Sequence, residues 1–320
     1  MNPELIYSNY IDGKFDKSKA IDSLILIIKN DINENNREMS VEILEKFDLT
    51  EQGTFKFLEN LLISDSNEHI RSVAANIILQ KYFKKGLEAI HWALEHESSP
   101  KCLEIILLAL DKINSDFVNR FLTSELNHIR KEYPKIFNSF YDCVNLPRSN
   151  DWLIEIFIKC KILISLGDYL CDFFVRDNEV VEIGIGGLTV KRISDIKVLE
   201  HLPELEHLDL RDNTIEEIDF IEKFLKLKYL NLSFNNIKEI KGFHNSKKLV
   251  HLDLSNNKIS EIKGLESLVN LAYLNLENNL IHELKGIDSL LNLEELNLID
   301  NYLKEVEKPE NLKKLWIFEY

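Results

Sequence analysis

The chain has 320 residues, of which 45% are hydrophobic, and its formal net charge at pH 7 is −15. That length is enough to bury one large core or two domains. The acidic balance argues against nucleic-acid binding, because contacts to phosphates need a basic surface, and equally against docking on anionic lipid.

The N-terminal stretch, MNPELIYSNYIDGKFDK, lacks the basic segment and apolar core of a signal peptide. The longest apolar run nearby, Leu24 to Ile28, is far too short to cross a bilayer. The cysteines form no CxxC motif and no dense framework: Cys102, Cys143, Cys160 and Cys171. We therefore expect free thiols, no membrane association and a cytoplasmic protein.

Residues 1–149 have the periodicity of helices. The i, i+3, i+4, i+7 spacing of one apolar helix face appears twice, at Ile21, Leu24, Ile25 and Ile28 and at Leu103, Ile106, Leu107 and Leu110. Polar stretches separate such segments: Asp31-Ile32-Asn33, Asp65-Ser66-Asn67, Ser98-Ser99-Pro100 and Asn114-Ser115-Asp116. The pattern predicts an all-α domain with short loops.

Two segments of this domain align at an offset of 34 residues, with Arg37 matching Arg71. The stretch SDSNEHIRSVAANIIL, in which Asp65 precedes the helix and Arg71 follows an apolar residue, resembles the second helix of a HEAT repeat. The resemblance is carried by residues 50–113, in units shorter than ordinary HEAT repeats. It implies stacked helices with a groove that can hold another protein.

Residues 150–179 are predicted to connect two domains. Trp152 to Leu166 has the composition of a long apolar helix. Phe173 to Val175, the sequence RDNE and then Val180 indicate a β-hairpin. We interpret this hairpin as the N-terminal cap of the array that follows.

Residues 180–320 repeat one pattern. Asparagines recur every 22 residues at Asn213, Asn235, Asn257, Asn279 and Asn301. The leucines keep the same step, so that the pattern LxxLxLxxNxI appears in each unit. This pattern resembles leucine-rich repeats of the protein-phosphatase-1 regulatory type, which implies a solenoid that binds other proteins.

The physical chemistry of the repeat supports that fold. Alternation in LxxLxL predicts a short strand with leucines on one face. The asparagine ladder can satisfy backbone groups that the turn after each strand buries, and Gly242, Gly264 and Gly286 permit a tight backbone before a short helical segment. One unit cannot bury its leucines alone, whereas stacked units can. We therefore predict an α+β tandem solenoid: N-terminal all-α HEAT-like repeats, then a leucine-rich repeat solenoid with a concave parallel sheet.

The variable residues of each strand are the candidate partner-binding site. They form a first column of His207, Tyr229, His251, Tyr273, Glu295 and Ile317, a second of Asp209, Asn231, Asp253, Asn275, Asn297 and Glu319, and a third that includes Arg211 and Glu277. The first column suits a protein interface because tyrosine presents a rigid apolar body with a polar tip. The Asp/Asn column is interpreted as a structural feature of the repeat.

Chemical sites are poorly supported by the sequence. His207 and His251 lie two strands apart, about 10 Å, so one metal ion would require both to lean across Tyr229. Asp209 and Asp253 have Asn231 between them and no predicted cleft. The histidines of HWALEH diverge around a helix, and GIGG does not follow the GxGxxG pattern. We expect no metal, no cofactor and no catalysis.

Several functions remain open. The first is a cytoplasmic, non-catalytic protein-interaction scaffold or adaptor, and a regulator of a phosphatase or small GTPase is its sharper form. The alternative is a cofactor-binding enzyme, because some short HEAT-like proteins act as chromophore lyases. The strand at residues 315–320 is either an edge for self-association or a short edge guarded by Glu319 and two lysines, and for the isolated protein we expect a monomer.

Overall fold

The structure, a computed structural model, describes residues 2–49, 51–140, 149–304, 307 and 309–320. It has two compact units, one comprising Met1–Glu132 with Asn145–Lys161 and the other Tyr133–Val144 with Ile162–Tyr320. The predicted class is confirmed, since helices precede a parallel-strand solenoid. The domain limits predicted at 149/150 and 179/180 stay predictions. Cys143 lies outside the described residues.

Helices make up the N-terminal part of the described chain. They are α1 Pro3–Ile11, α2 Lys17–Asn30, α3 Glu34–Glu45, α4 Gln52–Ser64, α5 Glu68–Lys81, α6 Phe83–His96, α7 Pro100–Glu132, α8 Pro134–Ser139 and α9 Asn150–Leu166. Asn114 breaks α7 with non-helical φ/ψ of −150° and 75°, where the sequence has its fourth polar stretch. Within the described residues, no helix combines the length and hydropathy that spanning a bilayer requires.

The polar stretches between helices act as repeated caps. The Asp31 carboxylate accepts the Asn33 N–H at 2.9 Å, and the Asn33 side chain caps α3. Asp65 and Asn67 repeat this arrangement before α5, with distances of 3.0 Å to the Asn67 N–H and 3.0 Å to the Ile70 N–H. Each cap satisfies helix N–H groups that lack an intrahelical partner, which fixes where the helix begins.

Two arginines connect successive caps. Arg37 pairs with the carboxylate of Asp65, and its Nε donates to the Ile28 carbonyl at 2.9 Å. Arg71 binds Glu97 with two bonds of 2.7 Å. Burial alone would raise the pKa of Glu97, but Arg71 and the Ser99 N–H lower it below its usual value. The 34-residue offset therefore corresponds to a repeated contact, while membership of the HEAT class stays a prediction.

One eight-stranded sheet runs through the second unit in chain order. Its strands are β1 Leu170–Arg176, β2 Glu179–Ile185, β3 His207–Asp209, β4 Tyr229–Asn231, β5 His251–Asp253, β6 Tyr273–Asn275, β7 Glu295–Asn297 and β8 Ile317–Glu319. The first two form an antiparallel hairpin, and β2 to β8 are parallel. From β3 onward the partners are exactly one 22-residue step apart, so equivalent residues lie side by side.

The core of the solenoid is the set of repeated apolar positions. Leu208, Leu230, Leu252, Leu274 and Leu296 are fully buried. The predicted short helices after the glycines are wrong, because those segments are turns closed by i→i+3 bonds such as Leu268 N–H to Leu265 carbonyl at 3.0 Å. Short 3₁₀ helices occur only earlier in the described solenoid, at Ile193–Asp195, Lys197–His201 and Ile221–Lys223.

Candidate functional site

The first column of variable residues lies on one line across the sheet. His207, Tyr229, His251, Tyr273, Glu295 and Ile317 are consecutive register partners, and all six are half-buried. The alternation of the strands directs these side chains away from the leucine core, to the face opposite Leu208 and its equivalents. The parallel pairing therefore brings the predicted partner-binding residues of this column together.

The aromatic members of the column stack on one another. The ring centroids of Tyr229 and His251 are 4.3 Å apart with an interplanar angle of 19°, and those of His251 and Tyr273 are 4.0 Å apart at 5°. His207 is 5.6 Å from Tyr229 and tilted by 36°. Side chains at 22-residue spacing stand one strand apart, so flat rings cover one another's faces.

Burial within the stack keeps its centre neutral at pH 7. It lowers the pKa of the His251 imidazole below 6.5, an effect that the Asp253 carboxylate opposes and His207 increases. Burial raises the pKa of Tyr229 and of Tyr273, and the charge of Asp253 adds to both shifts. The middle of the column therefore presents uncharged rings bordered by carboxylates.

The second column supports the backbone. The side-chain oxygens of Asp209, Asn231, Asp253, Asn275 and Asn297 each accept the N–H two residues further along, at distances of 2.9–3.1 Å. This is the local turn that Asp and Asn favour, and it agrees with the structural interpretation of the column. Of the third column, Arg211 is exposed and binds Asp209 at 2.9 Å, whereas Glu277 is half-buried and accepts from Asn297 Nδ2 at 3.0 Å.

The asparagine ladder ties neighbouring repeats together. In the middle of the array, Asn257 Oδ1 accepts the Ile237 N–H at 3.0 Å, and Nδ2 donates to the Leu232 carbonyl at 2.9 Å. The same pair of bonds recurs in each unit at Asn213, Asn235, Asn257, Asn279 and Asn301. The carbonyl and the N–H both belong to the preceding repeat, so this side chain holds the register of the stack.

Two residues of the first column are not identified by the sequence pattern. Phe174 of β1 pairs with Glu182 of β2, and Glu182 pairs with His207. Glu182 lies 25 residues before His207 instead of 22, and Phe174 belongs to an antiparallel strand, so neither follows the repeat. The predicted hairpin places both residues next to the array, and this is the feature of the sequence that indicates their position.

The side chains considered for a metal site or an acid pair make structural contacts instead. His251 stacks between two tyrosines, and Asp209 and Asp253 each cap a turn. In the part of the chain that the structure describes, no group of three or more His, Cys, Asp or Glu side chains is placed to hold a metal ion. In the HWALEH segment, Trp92 stacks on His96 with centroids 4.3 Å apart and is partly exposed.

The cysteines that the structure describes are unlinked: Cys102 and Cys160 are buried and Cys171 is exposed. Burial raises the pKa of the Cys102 thiol and raises that of Cys160 to about 12. Both buried thiols are therefore protonated at neutral pH and unsuited to nucleophilic chemistry.

A family model described as "Leucine Rich repeats (2 copies)" matches the chain at residues 225–267 and 247–289. The solenoid is a leucine-rich repeat domain. A comparison with curated protein sequences gives no match.

Solved structures similar to the leucine-rich repeat domain come from several proteins. An internalin (inlF) from Listeria monocytogenes has 20% identity and a TM-score of 0.37 over 43% of this chain and 46% of its own. Internalin C2 (inlC2) of the same organism has 19% identity and a TM-score of 0.34, over 50% and 90% of the two chains. The leucine-rich repeat domain of APL1B has 22% identity and a TM-score of 0.32, over 33% of each. This chain thus covers less than half of the length of the inlF internalin.

Phe234 departs from its leucine-rich repeat equivalents. It follows Ser233 of the third column, has a φ of +54° and is 55% exposed. The equivalent residues also have positive φ but are Asp212, Asn256, Asn278 and Asp300. Asp and Asn tolerate this left-handed backbone, whereas a bulky side chain there is an outlier. The 22-residue alignment contains this signal, because Phe234 stands where the other repeats have Asp or Asn.

Leucine-rich repeat arrays act in general as protein-interaction scaffolds, because stacking creates an extended concave surface. The interaction residues lie at variable positions, so the fold alone selects no partner. The specific resemblance to the protein-phosphatase-1 regulatory type stays a prediction.

Proposed function

We propose that this protein is a non-catalytic scaffold or adaptor of the cytoplasm that binds a protein partner through the concave face of its leucine-rich repeats. The observation that carries the proposal is the stacked column of Tyr229, His251 and Tyr273. Stacking fixes the rings before a partner arrives, so binding costs little side-chain entropy. Preorganised aromatic side chains are the usual high-energy contacts of protein interfaces.

Other residues extend this surface on several sides. Glu295 and Ile317 continue the column toward the C-terminus, and Arg211 and Glu277 belong to the third column, beyond the Asp/Asn column. Phe234 adds an exposed aromatic ring beside that third column. A face with an aromatic centre and a polar border has the composition of a protein-binding patch.

The test is capture of partners by purified protein, with quantification by mass spectrometry. His251→Ala combined with Tyr273→Ala should reduce recovery of a specific partner by about tenfold or more, since aromatic hot spots contribute about 2 kcal/mol or more. The chain offers a matched control in His282 and Tyr302, another stacked His–Tyr pair with centroids 5.1 Å apart in the loops after β6 and β7. Replacing both by Ala should leave recovery unchanged.

Because His251 and Tyr273 are half-buried, thermal unfolding of each variant must be measured alongside capture. A folded concave variant that recovers every partner as well as the wild type would contradict the proposal. Equal losses in both variants would also contradict it, because the effect would then not belong to the concave face.

A further inference from the structure

A cavity of about 500 Å³ opens at the N-terminal end of the concave face. Its lining includes Phe174, Glu182, Gly184, His207, Asp209 and Tyr229. All of these belong to the hairpin and the first two repeats of the solenoid. The volume falls in the range of sites that hold a small molecule or a single large side chain.

The cavity lies where the second column has a glycine instead of a longer side chain. Gly184 is the register partner of Asp209, and every later strand has Asp, Asn or Glu at that position. A Cβ atom on Gly184 would meet Cys171 Cβ at 3.5 Å, an ordinary contact, and the φ of this residue is not in the left-handed region. Backbone geometry therefore does not require glycine here, and this position contributes no side chain to the cavity beside Asp209.

The aromatic column also opens at this place. From Tyr229 to Tyr273 the rings cover one another, but the Tyr229–His207 separation widens to 5.6 Å with a tilt of 36°. Phe174, 53% exposed, also lines the cavity, and Glu182 and His207 lie between it and Tyr229 in the column. The cavity thus has aromatic surfaces that the stack does not cover.

The charge around the cavity is negative. Glu182 lies 3.5 Å from His207, and Asp209 binds Arg211 at 2.9 Å. Among the described residues of the three concave columns, Arg211 is the sole Lys or Arg, whereas the carboxylates are Asp172, Glu182, Asp209, Asp253, Glu277, Glu295 and Glu319. Asp172 has an additional partner in Lys135 at 3.2 Å. A cation entering the cavity meets attraction from the whole concave face.

We propose that this cavity binds an arginine side chain of the protein partner, with the guanidinium hydrogen-bonded to Glu182 and Asp209 beside the exposed ring of Phe174. The inference rests on the proposed function and names the chemistry of its partner. Guanidinium is favoured over ammonium because its plane stacks on aromatic rings and its fork matches carboxylates. The contact of Arg211 with Asp209 shows that this carboxylate accepts a guanidinium; Arg211 is 61% exposed and can leave.

The direct test titrates ¹⁵N-labelled protein with a short Gly-Ser peptide that carries one central arginine. Matched peptides carry lysine or citrulline, which has the shape of arginine without its charge. The arginine peptide should shift the amide signals of β1, β2, β3 and Tyr229, and should bind about tenfold more tightly than the citrulline peptide. Equal binding of arginine and citrulline peptides, or shifts spread over the acidic surface, would overturn the proposal.

Variants of the protein distinguish the cavity from general charge attraction. Asp209→Asn keeps the turn-capping oxygen that Asn231 uses, and Gly184→Asn fills the space with the side chain of other strands. Both should weaken binding of the arginine peptide by about tenfold, while Asp253→Asn, the same charge change outside the cavity, should have little effect. Arg211→Gln should strengthen binding because it removes a competitor. A gain of binding cannot result from misfolding, so unchanged or weaker binding by this variant counts against the proposal.

The two proposals fail in different ways. If Gly184→Asn keeps the native partner while the His251/Tyr273 double variant loses it, the concave face binds protein but the arginine site is wrong. If neither variant loses the partner, the proposed function itself fails. Spermine serves as a further control, because binding as tight as that of the arginine peptide would indicate unspecific attraction of cations and overturn the arginine site.

Discussion

Phe234 shows how a single residue can depart from the physical rule of its own repeat. In L-residues, left-handed φ brings Cβ close to the following carbonyl, which costs about 1–2 kcal/mol, and Asn reduces the cost through local hydrogen bonds. Phe234 has neither that help nor burial, since more than half of it is exposed. Backbone strain that neither local hydrogen bonds nor burial offsets is characteristic of residues that contact a ligand or partner.

Phe234→Asn should therefore stabilise the folded protein by about 1 kcal/mol, because Asn is the residue of the equivalent positions 256 and 278. Urea unfolding measures the change. Leu225→Asn is the control: Leu225 is also exposed, at 61%, but does not have positive φ, and its replacement should change stability by less than about 0.5 kcal/mol. A destabilised Phe234→Asn variant would mean that the ring contributes to packing.

His251 makes the stability of the solenoid depend on pH. Its folded-state pKa lies below 6.5, so the unfolded chain binds the proton at a higher pH than the folded one. The contribution is fully present above pH 6.5 and is lost as pH falls from 6.5 through the folded-state pKa. The charged groups that influence the ring are Asp253, which opposes the shift, and His207.

His251→Phe keeps an aromatic ring in the stack and removes the titration. The loss of unfolding free energy between about pH 7.5 and about pH 5.5 should be smaller in this variant than in the wild type. All other ionisable groups are the same in the two proteins, so their contributions to the pH dependence cancel in this comparison. An equal loss in both proteins would show that the pKa of His251 does not differ between the folded and the unfolded chain.

At the scale of one repeat, the glycine after each turn has a graded environment. Gly242, Gly264 and Gly286 have φ of +86°, +77° and +83°. A Cβ atom would stand 3.4, 2.7 and 2.1 Å, respectively, from a carbonyl oxygen of the preceding repeat. The backbone strain is thus nearly constant along the series, while the steric conflict between repeats increases toward the C-terminus.

Replacing each of these glycines by Ala should lower the unfolding free energy of the solenoid by more than about 1 kcal/mol. The loss should be smallest at Gly242, larger at Gly264 and largest at Gly286. Urea midpoints followed by circular dichroism give the order. Gly53 near the start of α4 is the contrasting site, since nothing lies within 4 Å of its Cβ position and its φ is not positive. Gly53→Ala should stabilise by about 0.5–1 kcal/mol, and equal losses at all three solenoid sites would contradict the steric explanation.

The repeat explains what could be predicted from the sequence and what could not. A constant 22-residue step fixes which residues become neighbours, so the columns and the strand order follow from it. Ring stacking between Tyr229, His251 and Tyr273 depends on side-chain torsions, which the step does not determine. The cavity arises where the step changes to 25 and a side chain is missing at Gly184, and a repeat pattern does not describe the place where it ends.

At the scale of the whole molecule, the chain joins helical and leucine-rich repeat units under a shared negative charge of −15. Net charge of this size opposes association of the protein with itself. The opposite tendency comes from strand β8, which in the described part of the chain pairs with β7 alone. Trp316 and Tyr320 beside it are 66% and 58% exposed.

We expect the isolated chain to remain monomeric. The outer strand is only three residues long, Ile317–Glu319, and exposed charges at Lys313, Lys314 and Glu319 disfavour edge-to-edge pairing. A sedimentation velocity series over a wide range of protein concentration should show a single species with the mass of one chain. A dimer that disappears in the Trp316→Lys variant would show instead that residues 315–320 are a contact for self-association. A dimer that persists in that variant would place the contact elsewhere, and in either case the expectation of a monomer would be wrong.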